Sequence, residues 1–498
     1  MAVDPFWIKQ NFMIANGLAR ALQFVLLLVT LRVASSLLAP SEMGKLSIIT
    51  ATVSFFALFM INPIGMFVNR RLYAWNERGD AFNYLYYFWF YVIGVAIFSI
   101  AVLYVLTSLL AMENGFSTET YLALVACSIL FGTLNQTSIP SLNIFGRPYW
   151  FGILTLATTA IGLIIAVSAV HFLQRTAEWW FTGLLTGHLI VGAWGLYLLR
   201  QTLTRPTPFT QWLSPLSRSA LQGLLHFAWP ISLAVSLGWI QSQSYRFIVE
   251  HSLGLHDLGL FAAGYAISAG LTAGFESMLT THFQSIFYKQ VNSGAEGSAD
   301  AAWHNYARAV LPSIALTAFF IVGVAPQLTD LLLSAKYGNS YQYVMWGAGA
   351  ELCRITIAVF ALFAHARMMT KILIYPNLLG ALLAVVLVWL LVINYGILGI
   401  GPALALSSLC SLLLTIYITA QFTTLKFSLK TILSTIFMGS ALILIARMPY
   451  TFFNSEHSPA KMIFTLVCTA AVFCIFQIYL LSESLGVREK LDDLLARK

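Results

Sequence analysis

Residues 373–392 read Leu-Ile-Tyr-Pro-Asn-Leu-Leu-Gly-Ala-Leu-Leu-Ala-Val-Val-Leu-Val-Trp-Leu-Leu-Val, a stretch without a single charged side chain. An α-helix rises about 1.5 Å per residue, so this stretch would be about 30 Å long, the thickness of the hydrocarbon core of a bilayer. Backbone polar groups in lipid must find their hydrogen-bond partners within the protein, which a helix achieves by itself. The stretch therefore predicts a transmembrane helix.

The rest of the chain repeats this pattern. Of its 498 residues, 59% are hydrophobic and 9% are charged, whereas a soluble domain carries about 25% charged residues. The apolar runs are continuous and do not alternate with polar residues, which excludes a transmembrane β-barrel. We predict an all-α integral membrane protein with about 14 transmembrane helices. The predicted spans lie at about 12–37, 46–68, 84–110, 120–142, 149–172, 179–200, 226–249, 259–285, 308–332, 343–366, 373–392, 399–422, 430–447 and 461–481.

Lysine and arginine are distributed unequally between the loops on the two sides of these spans. The loops on the side of the N-terminus carry 18 of them, and the loops on the other side carry 5. Because the more positive loops of a membrane protein face the cytoplasm, we predict a multi-pass protein with both termini cytoplasmic. The formal net charge of +8 then reports this topology, and we expect no nucleic-acid partner.

The loops between the predicted spans are short. None exceeds about 25 residues, and the Gly44–Lys45 pair lacks the upstream glycine of a phosphate-binding loop. ATP-driven transport by this chain alone is therefore not expected. A long outer loop that could hold a catalytic site is also missing, so we predict that the protein is not an enzyme and uses no cofactor.

Two copies of a short motif indicate an internal repeat. Residues 38–44 (Leu-Ala-Pro-Ser-Glu-Met-Gly) and 253–259 (Leu-Gly-Leu-His-Asp-Leu-Gly) both fit Leu-x-x-x-acidic-x-Gly, and each closes the first hairpin of a six-span block. Blocks with an even number of spans share one orientation, so an axis along the membrane normal would relate them. The polar stretch 201–222 is the expected connector. We predict an N-terminal six-helix lobe at 1–205, a C-terminal six-helix lobe at 206–425, an additional helix pair at 426–482 and a cytoplasmic tail at 483–498.

Six charged residues lie more than two residues inside the ends of predicted spans, and such a residue costs about 2.5–3.5 kcal/mol at a helix centre. They are Arg20, Arg32, Arg246, Glu276, Glu351 and Arg354. Their sum is cationic, which suits an anionic substrate in a cleft between two lobes that rock against each other. We predict that the four arginines line a substrate-binding cavity, and that the two glutamates either bind a coupling ion or form ion pairs. For Arg32 and Arg246, the alternative is that the side chain extends to the nearby interface.

Several stretches of the sequence are similar to polysaccharide-unit flippases, the O-antigen and exopolysaccharide transporters of the multidrug/oligosaccharidyl-lipid/polysaccharide exporter superfamily. The similarity rests on 38–44, on Trp239-Ile-Gln-Ser-Gln-Ser-Tyr-Arg-Phe-Ile248 followed by 253–259 and Tyr265, and on Asn394-Tyr-Gly-Ile-Leu-Gly-Ile-Gly-Pro-Ala403. It covers most of residues 10–425. The two extra C-terminal helices resemble the lipid II flippase branch, although the arginine-rich first helix expected of that branch is not evident.

The resemblance implies a flippase that moves undecaprenyl-pyrophosphate-linked oligosaccharide units across the bacterial inner (cytoplasmic) membrane. It implies a cationic cavity formed by the four arginines, a coupling ion (H⁺ or Na⁺) at Glu276, and three kinds of partner: the lipid-linked oligosaccharide, membrane lipids and the polysaccharide polymerase machinery. The alternatives are an ion-coupled multidrug or small-molecule exporter of the same superfamily, a lipid II flippase, and a membrane-embedded glycosyltransferase or polymerase. The sugar composition, the coupling ion, the polymer served and the oligomeric state stay open at this point.

Overall fold

The computed structural model describes residues 22–110, 115–203, 218–291, 298–367, 369–423, 428–452 and 459–484. Within these ranges the chain is helical and contains no β-strand. Twelve stretches are long and apolar enough to cross a membrane, and one of them, Lys371–Ala420, contains two helices. With these two helices counted separately and the shorter apolar helix Leu22–Leu37 included, the described residues contain the 14 predicted membrane helices. The predicted all-α membrane fold is therefore confirmed.

The chain forms two compact units, Met1–Gly259 and Leu260–Lys498. The helices of the first unit are α1 (Leu22–Leu37), α2 (Pro40–Glu77), α3 (Ala81–Leu110), α4 (Thr118–Ile144), α5 (Pro148–Phe172), α6 (Ala177–Thr202), α7 (Arg218–Gln243) and α8 (Tyr245–Leu253). The helices α7 and α8 are separated by a single residue, Ser244.

Small residues hold α5 and α6 together in the first unit. Gly183 and Gly187 of α6 lie against Ala166 and Gly162 of α5, so closely that a Cβ atom on Gly187 would overlap the backbone of Gly162. Both helices thus present small residues four positions apart, the spacing at which membrane helices pack backbone to backbone. Lipid is as apolar as leucine, so burial of apolar side chains does not drive helices together in a membrane. The close van der Waals contact is therefore what stabilises this helix pair.

The two motif copies begin their second helices at the same motif position. The helix α2 starts at Pro40 and α9 (Leu255–Val291) starts at Leu255, the third residue of each copy. A Cβ atom on Gly44 would overlap the carbonyl oxygen of Leu255, and one on Gly259 would overlap the carbonyl oxygen of Pro40. The contact is reciprocal, because each motif glycine meets the first helical residue of the other copy. Glycine is required at both positions because the two backbones touch.

The acidic position of the motif has different partners in the two copies. In the first copy, Glu42 accepts a hydrogen bond from the backbone N–H of Ala177 at 2.6 Å and lies 3.1 Å from Lys45 Nζ. It therefore satisfies a free amide at the start of α6, where the helix dipole also favours a carboxylate. In the second copy, Asp257 pairs with its chain neighbour His256 at 3.3 Å.

The helices of the second unit continue from α9, of which only Leu255–Gly259 belongs to the first unit. They are α10 (Ser298–Gly323), α11 (Ala325–Leu332), α12 (Tyr341–Ala366), α13 (Ile374–Tyr395), α14 (Ile400–Ala420), α15 (Leu429–Phe452) and α16 (Pro459–Ser484). A buried aromatic cluster joins α9, α10 and α12. At its centre, the fully buried Trp303 donates its indole N–H to the carbonyl oxygen of Val359 at 2.9 Å.

The additional C-terminal helix pair packs against α10. Gln477 of α16 donates to the carbonyl oxygen of Ser313 at 2.8 Å, and the ring of Phe473 stacks on that of Phe320 with centroids 4.6 Å apart. On α15, a Cβ atom at Gly439 would overlap the ring of Phe319. The pair thus supports the helix that carries part of the candidate site described below.

Several predicted regions lie partly or wholly outside the described residues. They include the start of the first span (residues 12–21), most of the connector 201–222, and nearly all of the tail 483–498. The predicted lobe boundary at residue 205 falls there too, so the division into lobes stays a prediction.

Candidate functional site

Three of the six charged residues predicted to lie in spans form one cluster in the second unit. The guanidinium of Arg354 lies between two carboxylates, with Nε 2.7 Å from Glu351 Oε2 and Nη2 2.8 Å from Glu276 Oε2. The other oxygen of Glu351 accepts a hydrogen bond from the hydroxyl of Tyr265 at 2.8 Å. With both carboxylates ionised, the cluster carries a net charge of −1.

Helical spacing explains why these residues meet. Glu351 and Arg354 are three residues apart, so they are neighbours on one face of α12. Tyr265 and Glu276 are eleven residues apart, about three turns, so they share a face of α9. The structure thus brings Glu351 and Arg354 together within α12 and adds a second carboxylate, Glu276, from α9. The roles of these residues in ion coupling or substrate binding stay predictions.

The three charged side chains differ in exposure. Glu351 is 7% exposed, Glu276 is 23% exposed and Arg354 is 43% exposed. Glu351 is thus the buried anchor of the cluster, held by a cation and a hydroxyl, as a buried carboxylate requires. Glu276 is more accessible, and it is the member that borders open space.

That open space is a cavity of about 270 Å³. One wall is polar and consists of Glu276, Thr280 and Gln284, which follow one another at intervals of four residues on α9. The opposite wall is apolar and belongs to α12. Its residues are Ile355, Ala358, Val359 and Leu362, with Tyr306 of α10 completing the lining.

Of the eight residues that line the cavity, Glu276 alone is a predicted site residue, and the neutral polar residues Thr280, Gln284 and Tyr306 were not predicted. The polar residues of 298–307 predict a loop before a span at 308–332, whereas α10 starts at Ser298. The pairing of Trp303 and Tyr306 at helical spacing was the signal that could have revealed a buried face. Gln284 lies near the end of a predicted span and has a neutral side chain, so a search for charges in the membrane overlooks it.

Arg246 is held differently from Arg354. This half-buried side chain of α8 donates from Nη1 to the carbonyl oxygen of Ser47 at 3.1 Å and from Nε to the hydroxyl of Tyr245 at 3.3 Å. Both acceptors are neutral, and no carboxylate of the described residues forms an ion pair with it. Nearby in sequence or space, three buried oxygens have no hydrogen-bond partner among the described residues: Ser47 Oγ, Gln243 Oε1 and Ser244 Oγ.

The other two predicted arginines are less informative. Arg32 is exposed on α1. It precedes its motif glycine by 12 residues, whereas Arg246 precedes its own by 13, and one residue turns a helix by about 100°. The two arginines therefore need not face the same direction despite their similar positions in the repeat. Arg20 lies outside the described residues.

Five of the six charged residues singled out from the sequence are described, and they are divided between the two units. In the first unit they are the arginines Arg32 and Arg246, and in the second they form the cluster with net charge −1. The cationic excess predicted from the sequence is thus confined to one unit. Whether these residues line a shared cavity stays a prediction.

The sequence of the chain matches a known protein family. The family described as "Polysaccharide biosynthesis protein" matches residues 33–342. The chain belongs to this family. The matched residues include both motif copies and, from the cluster, Tyr265 and Glu276. The cluster residues Glu351 and Arg354 of α12 lie beyond the match. No curated protein sequence matches this member of the polysaccharide biosynthesis family.

Solved structures share the fold of this polysaccharide biosynthesis protein. The lipid II flippase MurJ in an inward closed conformation has a TM-score of 0.62 at 12% identity, covering 96% of this chain and 99% of that chain. A multidrug resistance MATE transporter in an inward-facing conformation has a TM-score of 0.58 at 13% identity, covering 82% of this chain and 96% of that chain. A transporter of the same superfamily from Pyrococcus furiosus, described as having a binding pocket of reverse polarity, has a TM-score of 0.51 at 15% identity, covering 83% of this chain and 94% of that chain.

These likenesses establish the fold that the sequence resemblance implied. The alignment with the lipid II flippase, at 96% of the chain, exceeds that with the multidrug transporter, at 82%, by about 70 residues. The chain belongs to the polysaccharide biosynthesis family, and it shares its fold with solved transporters of the superfamily that the sequence resemblance indicated.

Proposed function

We propose that this protein is a flippase that moves undecaprenyl-pyrophosphate-linked oligosaccharide units across the bacterial inner membrane. Transport would occur by alternating access through a cationic central cavity. Membership of a polysaccharide biosynthesis family and the fold shared with a lipid II flippase support this proposal. In this role the protein is a transporter and not an enzyme, both termini face the cytoplasm, and a polysaccharide polymerase would use the product.

The observation that carries the proposal is the environment of Arg246. Its charge is half-buried and has only neutral acceptors among the described residues. The guanidinium of arginine is always protonated and can bind phosphate oxygens with two parallel hydrogen bonds. The hydroxyls of Ser47 and Ser244, which have no partner in the described structure, are additional donors for such an anion. We assign the pyrophosphate of the lipid-linked substrate to this place.

The first test is transport by purified protein in liposomes. Parent protein should carry an undecaprenyl-pyrophosphate-linked oligosaccharide to the opposite leaflet, measured by accessibility of the sugar to an added lectin. Arg246→Ala should lower the rate at least about tenfold, because a charge-assisted hydrogen bond is worth about 1.5–3 kcal/mol. Arg200→Ala, which removes an exposed arginine from the last turn of α6, is the matched control and should transport at the parent rate.

A deletion strain provides the second arm of this test. Lipid-linked repeat units should accumulate on the cytoplasmic face, and surface polysaccharide should disappear. Normal surface polysaccharide in a strain without a second flippase would contradict the proposed function. Equal transport by Arg246→Ala and parent would instead leave the function intact and remove Arg246 from the site.

An ion-coupled exporter of small molecules is the second candidate. It is supported by the fold shared with multidrug transporters and by the anionic cluster in the second unit, since a carboxylate such as Glu276 can take up H⁺ or Na⁺. Sodium- or proton-dependent efflux of small molecules, without movement of lipid-linked oligosaccharide, would favour this candidate. In that case Glu276→Gln should change the dependence on pH or sodium.

A further inference from the structure

We propose that the cavity of the second unit binds one neutral sugar residue of the oligosaccharide and selects against acidic sugars. This inference rests on the proposed flippase function and adds a second place of contact with the substrate. The cavity is the one bordered by Glu276, Gln284, Tyr306 and the apolar face of α12.

The two walls of the cavity match the two faces of a sugar ring. A pyranose has hydroxyl groups around its edge and C–H groups on its faces. Glu276, Thr280 and Gln284 present a carboxylate, a hydroxyl and an amide along one face of α9, and these groups can donate and accept several hydrogen bonds. The opposite face of α12 offers only carbon atoms, on which the C–H face of a ring can pack. The cavity thus has one polar wall, from α9, and one apolar wall, from α12.

Tyr306 closes the cavity from α10. Its side chain is only 6% exposed, and its ring packs against that of Phe287 with centroids 5.8 Å apart. The ring is therefore fixed in position, and a rigid aromatic side chain with a hydroxyl supplies contact area and a hydrogen bond at little entropic cost.

The size of the cavity limits the ligand. Its volume of about 270 Å³ lies just below the about 300 Å³ at which pockets for drug-sized molecules begin. It is suited to one sugar residue and not to a chain of several. The rest of an oligosaccharide would have to lie outside it.

Charge decides which sugar is favoured. Arg354 is already shared by two carboxylates, so with both carboxylates ionised the three charged groups of the cluster sum to −1. A uronic acid or a phosphate would meet this field in a low-dielectric environment, where like charges repel strongly. A neutral hexose or N-acetylhexosamine brings no such cost, and its hydroxyls can use the free acceptor capacity of Glu276.

The cavity also lies where a sugar would enter first. Gln284 is seven residues before the end of α9, and Leu362 is four residues before the end of α12. In the predicted topology both ends face the cytoplasm, the side on which a flippase loads its substrate.

Binding of three soluble methyl glycosides to the purified full-length protein tests this inference. The probes are a neutral hexoside, an N-acetylhexosaminide and a hexuronide, and binding is measured by saturation-transfer NMR. We expect at least one neutral probe to bind, and the hexuronide to bind at least about tenfold more weakly because of the charge of the cluster. Equal or tighter binding of the hexuronide would overturn the proposal, as would the absence of binding by both neutral probes.

Variants locate the binding. Gln284→Leu and Tyr306→Phe should each weaken neutral binding about tenfold by removing one hydrogen bond from an enclosed site. Thr280→Val and Thr281→Val form a matched pair, because both hydroxyls bond to the helix backbone, at 2.8 and 2.7 Å, while only Thr280 lines the cavity. Thr280→Val should weaken binding and Thr281→Val should not. Parent-like binding by all the cavity variants would place the sugar elsewhere.

Glu276→Gln should increase the affinity for the hexuronide relative to the neutral probe, a result that a misfolded variant cannot produce. Removal of the negative charge should bring the affinity for the hexuronide closer to that for the neutral probe, and unchanged discrimination would contradict the role of charge. The two proposals fail separately. Transport of lipid-linked substrate without binding of sugar would refute the sugar subsite alone, whereas binding of neutral sugar without transport would refute the flippase function.

Discussion

Arg246 and Arg354 are both arginines of predicted membrane spans, yet the groups that surround their charges differ. Arg354 lies between two carboxylates at 2.7 and 2.8 Å. Among the described residues, Arg246 donates to a backbone carbonyl and a phenolic hydroxyl and forms no ion pair. One charge is therefore balanced within the protein, and the other is available to balance the charge of a ligand.

The difference shows that a charge in a membrane helix is informative only together with its partners. A residue with a full set of charged partners is expected to contribute mainly to stability, since breaking such a pair leaves an isolated charge behind. A residue with neutral partners is expected to contribute mainly to binding. Stability and transport should accordingly respond in opposite ways to substitution at the two arginines.

We expect the largest effect from a substitution that moves the backbone contacted by Arg246. Gly259→Ala places a Cβ atom on the carbonyl oxygen of Pro40, so α2, which carries Ser47, must shift. We expect a loss of about 3 kcal/mol in unfolding free energy, the upper end for overpacking, because backbone atoms must move. The midpoint of thermal unfolding in detergent, followed by tryptophan fluorescence, measures the effect. Gly132→Ala is the control, since nothing lies within 4 Å of its new methyl group. Equal midpoints for the two variants would contradict the tight contact.

Arg354→Met should produce the next largest effect. It leaves Glu276 and Glu351 charged without their cation, and we expect a loss of about 2 kcal/mol, reduced from the cost of a fully buried pair because Arg354 is 43% exposed. Thermal unfolding again provides the measurement. Adding Glu276→Gln and Glu351→Gln to this variant should restore most of the stability. A single variant as stable as the parent would show that the cluster has no structural role.

Arg246→Lys should have the smallest effect on stability and a selective effect on transport. The charge is retained, but the planar fork that matches phosphate is lost. We expect transport to fall about three- to tenfold, the loss of part of a bidentate contact, with no change in the unfolding midpoint. Arg354→Lys is the companion variant, and it should lower the midpoint more than Arg246→Lys does. The opposite order would invalidate the comparison between the two arginines.

Much of the fold could be predicted from hydropathy alone. Continuous apolar stretches such as 373–392 predict membrane helices because lipid leaves the backbone no other solution. The starts of helices were harder to predict. The polar residues of 298–307 and the motif residues Pro40–Gly44 belong to helices, because their capping and packing partners come from distant parts of the chain.

The candidate site was predictable in part. The spacing of Glu351 and Arg354 predicts an ion pair within one helix. That Glu276 would join them depends on how α9 packs against α12, which no local pattern reveals. The neutral polar members of the cavity, Thr280, Gln284 and Tyr306, carry no charge that would distinguish them within a membrane helix. That no described carboxylate forms an ion pair with Arg246 depends on how distant helices pack, which no local pattern reveals.

The reciprocal contact of Gly44 and Gly259 has a consequence for the history of the chain. If the two motif copies descend from one ancestral segment, the contact began as that segment meeting an identical copy of itself. A side chain added later at one glycine would then overlap the backbone of the other copy. The two halves could diverge elsewhere, as the acidic motif residues Glu42 and Asp257 did in their partners, while this pair of positions could not change. Deep mutational scanning would be expected to find almost no tolerated replacements at positions 44 and 259.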